Sequence, residues 1–113
     1  MNKATENKIM KAAIEKYGAD GQLSVVIEEC SELIQAICKY QRAKANPKTS
    51  QRDLDKRIDA LIEEAADVQI MLDQLAIMSS EWDPAIFNDE FATIREDKLT
   101  RLQKRIEGKG GKK

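Results

Sequence analysis

An all-α, four-helix bundle-like fold is expected for this chain, and three observations predict it. Apolar residues recur at steps of three and four in four long stretches, and the breaks between them fall near Gly18, Pro47 and Pro84. Gly and Pro are few, five and two, and aromatic residues are 4% of a sequence that is 42% hydrophobic and 35% charged, the profile of a helical protein. With 113 residues there is material for one modest core and not two. Residues 1–107 are therefore read as a single domain, followed by a disordered basic tail over 108–113.

The first helix is expected to run from a Thr5 cap to Tyr17, with Ile9, Met10, Ala13, Ile14 and Tyr17 at helical spacing and Gly18 ending it. After a short turn at Asp20-Gly21, the second helix should run from Gln22 to Lys44 around a core stripe of Leu23, Val26, Ile27, Cys30, Leu33, Ile34 and Ile37. Pro47 then disfavours helix at Asn46, and Ser50 with Asp53 three residues on has the form of a new helix start. This break is the candidate mobile loop. The third helix, Gln51 to Met78, has Leu54, Ile58, Leu61, Ala65, Val68 and Leu72 as its core stripe, and is apolar around most of its circumference from Ala65 onward. Asp83 as cap and Pro84 in the first turn start the fourth helix, which is expected to reach Glu107, with Trp82 as a packing anchor beside the turn. One face of this last helix changes character along its length, from Phe87, Phe91 and Ile94 to Lys98, Arg101 and Arg105. Its basic half has an ordinary explanation as a solvated helix end favoured by the dipole, and a functional one as a phosphate contact.

Several function classes fall away on composition. The net charge of -1 exerts no general pull on nucleic acid or anionic lipid, and neither is expected as a partner. No signal peptide or long apolar run is present, so a soluble cytoplasmic protein is expected. Cys30 and Cys38 lie eight residues apart on one helix, about 12 Å along its axis, too far for a disulfide, and are read as small buried hydrophobes. There is no histidine, which removes Ser-His-Asp and Cys-His catalysis, nearly all zinc sites and the Glu-x-x-His di-iron bundles.

What remains is a repeat. Ile27-Glu28-Glu29-Cys30-Ser31-Glu32-Leu33 is echoed thirty-five positions later by Ile62-Glu63-Glu64-Ala65-Ala66-Asp67-Val68. On a helix, Glu29 and Glu32 project about 60° apart, as do Glu64 and Asp67, so each pair leaves its helix on one side. That side carries Val25 and Ala36 in the first copy and Ala60, Met71 and Met78 in the second, so the acids border apolar surface. One such motif alone is usually a solvated acidic face. Two copies brought together by helix packing repel unless they are protonated or share a cation, and a hard divalent ion with oxygen ligands is the natural counter-charge.

The pair Glu28-Glu29-x-x-Glu32 and Glu64-x-x-Asp67, both on helices of a small all-α chain, resembles the MazG-type nucleoside triphosphate pyrophosphohydrolases, in particular their short single-domain forms. The resemblance spans residues 18–106, and its motif is specific when both halves occur together. It implies that Glu29, Glu32, Glu64 and Asp67 hold Mg²⁺ (or Mn²⁺), that Glu28 or Glu29 is the catalytic base, and that Lys98 and Arg101 bind substrate phosphates. The reaction implied is hydrolysis of a nucleoside or deoxynucleoside triphosphate to the monophosphate and pyrophosphate, a nucleotide-pool house-cleaning activity. The 31 residues between Glu32 and Glu64 exceed the spacing of many members, so contacts made by the loop at Pro47 are not carried over. Base preference has no local motif; Gln22, Gln35 and Trp82 are the amide and aromatic candidates.

The competing class is a non-catalytic oligomeric helical interaction or metal-binding module. Either way a homo-oligomer is expected, a tetramer before a dimer. A third helix apolar all round must be covered on all sides, and Ile70 and Ile77 lie opposite its core stripe.

Overall fold

The computed structural model describes residues 1–80 and 83–108, and the described chain is four α-helices with no strand. They are α1 (Lys3–Tyr17), α2 (Ala19–Ala45), α3 (Gln51–Ser79) and α4 (Pro84–Ile106). The all-α, four-helix expectation holds. Trp82 and residues 109–113, where a packing anchor and a disordered tail were expected, lie outside the described residues.

Local chemistry explains each boundary. α1 starts earlier than Thr5, because the Asn2 side chain accepts a hydrogen bond from the Thr5 amide at 2.8 Å and so caps the helix. Gly18, at φ 85°, turns the chain in one residue and donates its N–H to the Ile14 carbonyl. Nothing more is needed to turn, so the expected Asp20-Gly21 turn is instead the first turn of α2, where Asp20 is favoured by the helix dipole. Between α2 and α3, the Asn46 side chain accepts from the Lys48 amide at 2.9 Å and the Ser50 hydroxyl accepts from the Asp53 amide at 3.1 Å, which caps α3. Asp83 caps α4 through the Ala85 amide at 3.1 Å, with Pro84 at the first position.

The long antiparallel pair α2–α3 is the main packing unit, and α1 lies against both while α4 touches α3 alone. A small core forms where α1 crosses the end of α3: Met10, Ile14 and Ile77 are buried, with Met78 packed on them. At the same end Gln22 of α2 donates to Gln74 of α3 at 2.7 Å, both side chains buried, and this bond sets the register of the pair. Seven residues forward from Gln22 is Glu29, and seven back from Gln74 is Asp67. Three further on each helix come Glu32 and Glu64, and seven beyond those Lys39 and Arg57.

This register corrects the expected core. The seam between α2 and α3 takes Gln22, Ala36, Met71 and Gln74, all buried, with Val25, Glu29 and Glu64 half-buried. The bulky α2 stripe faces outward instead: Leu23, Ile27, Ile34 and Ile37 are exposed, Ile27 to 72% and Ile34 to 62%. On α3 the expected stripe is likewise outside or only partly covered, with Ile58 and Leu72 exposed. The physical reason is that α1 is only 15 residues long and α4 does not reach α2, so among the described residues no element lies on that face. Cys38 belongs to the same outward face and is exposed; Cys30 is half-buried. Ile77, expected outside, is 1% exposed beneath α1, whereas Ile70 is exposed. Ile9 and Tyr17 of α1 are exposed too, and no residue of α4 is buried.

Candidate metal centre

The repeated acidic motif meets itself in the α2–α3 seam. Glu29 of α2 and Glu64 and Asp67 of α3 each offer a carboxylate oxygen, and these atoms lie within 4.8 Å of one another. The antiparallel register produces this. Each motif spaces its acids by three, and the two helices run past each other with Gln22 bonded to Gln74, so the acids of one arm meet those of the other in mid-hairpin.

The electrostatics are unfavourable for an isolated group. Glu29 and Glu64 are half-buried, and the Oε1 atom of each is buried with no hydrogen-bond partner. The carboxyl of Glu29 is held above the ordinary carboxylate pKa by burial first, then by the charges of Glu32, Asp67 and Glu64. Glu64 is raised by burial and then by Glu32, Asp67 and Glu63. The charges that shift the two groups are thus all negative, and a buried carboxylate oxygen without a donor is costly. The hard oxygen donor set, the orphaned Oε1 pair and the mutual repulsion together fit a divalent cation of the Mg²⁺ type.

The sequence-derived residues divide as follows. Glu29, Glu64 and Asp67 are brought together. Glu32 is exposed beside them, close enough to act on both half-buried glutamates. Glu28 is exposed and stands outside the three. Lys98 and Arg101 are exposed on α4 and are not among the charges that act on Glu29 or Glu64. Gln22, a candidate for base contact, is committed to Gln74.

Two cations that sequence reasoning passed over lie next to the acids. A cavity of about 190 Å³ runs on from the cluster between Glu32, Gln35, Ala36 and Lys39 on α2 and Arg57, Ala60 and Glu64 on α3. It abuts a second, of about 260 Å³, with which it shares Lys39 and Arg57. The signal was present in the spacing, since Lys39 follows Glu32 and Arg57 precedes Glu64 by seven residues, two helical turns. It is masked in the sequence by the bulkier apolar stripe of Leu23, Ile27, Ile34 and Ile37, which outweighs the slim face that carries Lys39. Neither Lys98 nor Arg101 lines either cavity. Comparison with family models, curated proteins and solved structures gave no match to this chain.

Proposed function

We propose that this protein is a Mg²⁺-dependent hydrolase that cleaves a nucleoside or deoxynucleoside triphosphate between the α and β phosphates. The observation that carries the reading is the three-carboxylate group of Glu29, Glu64 and Asp67 with two buried oxygens lacking a partner. Glu29, Glu32, Glu64 and Asp67 would hold the ion. Bound there, Mg²⁺ or Mn²⁺ supplies neutralisation of phosphate oxygens and a water of lowered pKa.

The remaining roles belong to the chain. Glu28 or Glu29 accepts the proton of the attacking water, Glu28 from the exposed side of α2 and Glu29 from within the cluster. Water adds across the anhydride so that one product keeps the bridging oxygen and the other takes the water's, giving monophosphate and pyrophosphate. Lys98 and Arg101 are proposed to contact phosphate; exposed on α4 and outside both cavities, they do so only where α4 meets the groove of another copy.

Association into a homo-oligomer, a tetramer before a dimer, is part of the proposal. The accessible surface of 8686 Å² exceeds the about 6,300 Å² of a compact monomer of this mass. The excess suits the area that one subunit loses in obligate assemblies, about 1,000–2,500 Å².

The test is pyrophosphate release from a panel of canonical and damaged nucleoside and deoxynucleoside triphosphates with Mg²⁺. Turnover should be abolished by chelation and should fall about 100-fold or more in Glu64→Gln and Asp67→Ala. Absence of pyrophosphate release from every substrate, with Mg²⁺ and with Mn²⁺, would sink the reading and return the acids to a binding or solubilising role.

A further inference from the structure

The far part of the groove that leads away from the carboxylates is basic. Lys39 and Arg42 on α2 and Arg57 on α3 line it, with Asn46 and Thr49 at its far end. Among the described residues the side chains of these three cations form no ion pair or hydrogen bond, although Glu32, Glu64 and Asp53 line the same cavities. Ala36, Ala43 and Ala60 form part of its walls and keep it open.

The helix dipole accounts for some of this charge but not all. Arg42 lies in the last turn of α2, where a cation is favoured. Arg57 lies in the second turn of α3, where the dipole gives a cation nothing, and yet it shares a cavity with Lys39. In the far cavity three cations face the single carboxylate of Asp53, which pairs with none of them, so a net positive charge is left there for an anion. A polyanion reaching from the acid cluster would be drawn along the groove, for Lys39 and Arg57 stand one seven-residue step, about 10.5 Å of helix, beyond Glu32 and Glu64. Their long side chains close part of that gap, and Arg57 has the planar fork that matches phosphate oxygens.

We propose that the α2–α3 groove is a polyphosphate track, in which Lys39 and Arg57, backed by Arg42, hold the phosphates distal to the cation bound by the carboxylates. The ligand class is a chain of at least two phosphates, and the departing pyrophosphate is the part these residues hold. This inference rests on the hydrolase reading for the identity of the reaction, but binding of the phosphate chain is measured without it.

The experiment is calorimetric titration of inorganic tripolyphosphate into the full chain with Mg²⁺ present, for wild type, Lys39→Gln/Arg57→Gln and Lys56→Gln. Lys56 is exposed and lines neither cavity. The double variant should bind tripolyphosphate about tenfold or more weakly, with Mg²⁺ affinity within about twofold of wild type, and Lys56→Gln should match wild type. Both changed side chains are exposed, so helicity by circular dichroism should be retained, and the single variants should each show an intermediate loss. Equal affinity in wild type and the double variant, or no binding by wild type, overturns the proposal. Nucleotide turnover separates the two readings. A wild type that binds tripolyphosphate through these residues but hydrolyses no nucleotide refutes the hydrolase reading alone, and unchanged kcat/KM in the double variant refutes the track alone.

Discussion

Glu29 and Glu64 show how a side chain that is unfavourable for folding can suit the cation binding proposed above. Each has a buried Oε1 without a donor and a pKa raised first by burial and then by acidic neighbours. In the metal-free protein a raised carboxyl pKa means that the folded chain keeps protons the unfolded chain has released. The stability these groups contribute is present below the ordinary carboxylate pKa of about 4.3 and is lost as pH rises through their raised values. A divalent cation acts in the opposite sense, since it requires both groups deprotonated. The midpoint of thermal unfolding in chelator should therefore fall with rising pH across this window more steeply for wild type than for Glu64→Gln. The gain on adding Mg²⁺ should grow over the same range. At ~100 times its dissociation constant the ion adds about 2.7 kcal/mol, a shift of many degrees for a domain of this size. Glu64→Gln should lose most of that gain while its metal-free form is as stable as wild type or more so. Equal Mg²⁺ shifts in the two proteins would remove Glu64 from the ion's ligands.

At the level of elements, the α2–α3 hairpin is the device that turns a sequence repeat into a cluster. Its register depends on the buried Gln22–Gln74 hydrogen bond at one end and on the Asn46 and Ser50 side-chain bonds at the other. Gln74→Ala leaves the Gln22 amide buried without its partner, at a cost of about 1–3 kcal/mol, and should lower the unfolding midpoint by several degrees. It should also weaken Mg²⁺ binding although Gln74 touches no ion; calorimetry with unchanged Mg²⁺ affinity would show that the acids do not depend on that end of the hairpin. α4 is positioned differently. Beyond the Phe87–Phe91 stack, at 6.0 Å between ring centroids, its whole length is exposed. Lys98→Ala should accordingly leave helicity and Mg²⁺ affinity unchanged while raising KM or lowering kcat; an unchanged kcat/KM would make the basic half of α4 an ordinary solvated helix end.

For the whole molecule, the shape of the single chain is the main observation. Its radius of gyration is 18.0 Å, against about 13 Å for a compact domain of this length. The exposed apolar residues are concentrated on the outer faces of α2 and α3 and along α4, with Ile27, Ile34, Ile62 and Ile86 among the most open. Among the described residues no helix is long and apolar enough to cross a membrane. In the proposed assembly a second copy covers these surfaces, and two separate faces would allow a dimer of dimers. Light scattering over a dilution series should give a tetramer, or a dimer if only one face is used. Ile27→Glu/Ile34→Glu should dissociate an assembly joined through the outer face of α2 while the chain stays helical. A wild-type monomer at micromolar concentration would refute the association.

Helix number, most helix ends and the acids that meet follow from local sequence. Caps at Ser50 and Asp83, Pro47 and Pro84 at the breaks and the helical period all act within a few residues, so helix number and most ends were legible. So was the meeting of Glu29, Glu64 and Asp67, which lie in a repeat carried by two neighbouring antiparallel helices. Which face of α2 turns inward depends on packing between helices. α2 carries two apolar faces, a bulky one at Leu23, Ile27, Ile34 and Ile37 and a slim one at Val25 and Ala36, and periodicity weighs them by hydrophobicity alone. The choice went to the slim face, since the Gln22–Gln74 bond and the small seam residues let α2 and α3 meet there, and α1 is too short to cover the bulky one. With that face went Lys39 and Arg57, whose place beside the acids follows from the register of two helices and from no local pattern in either.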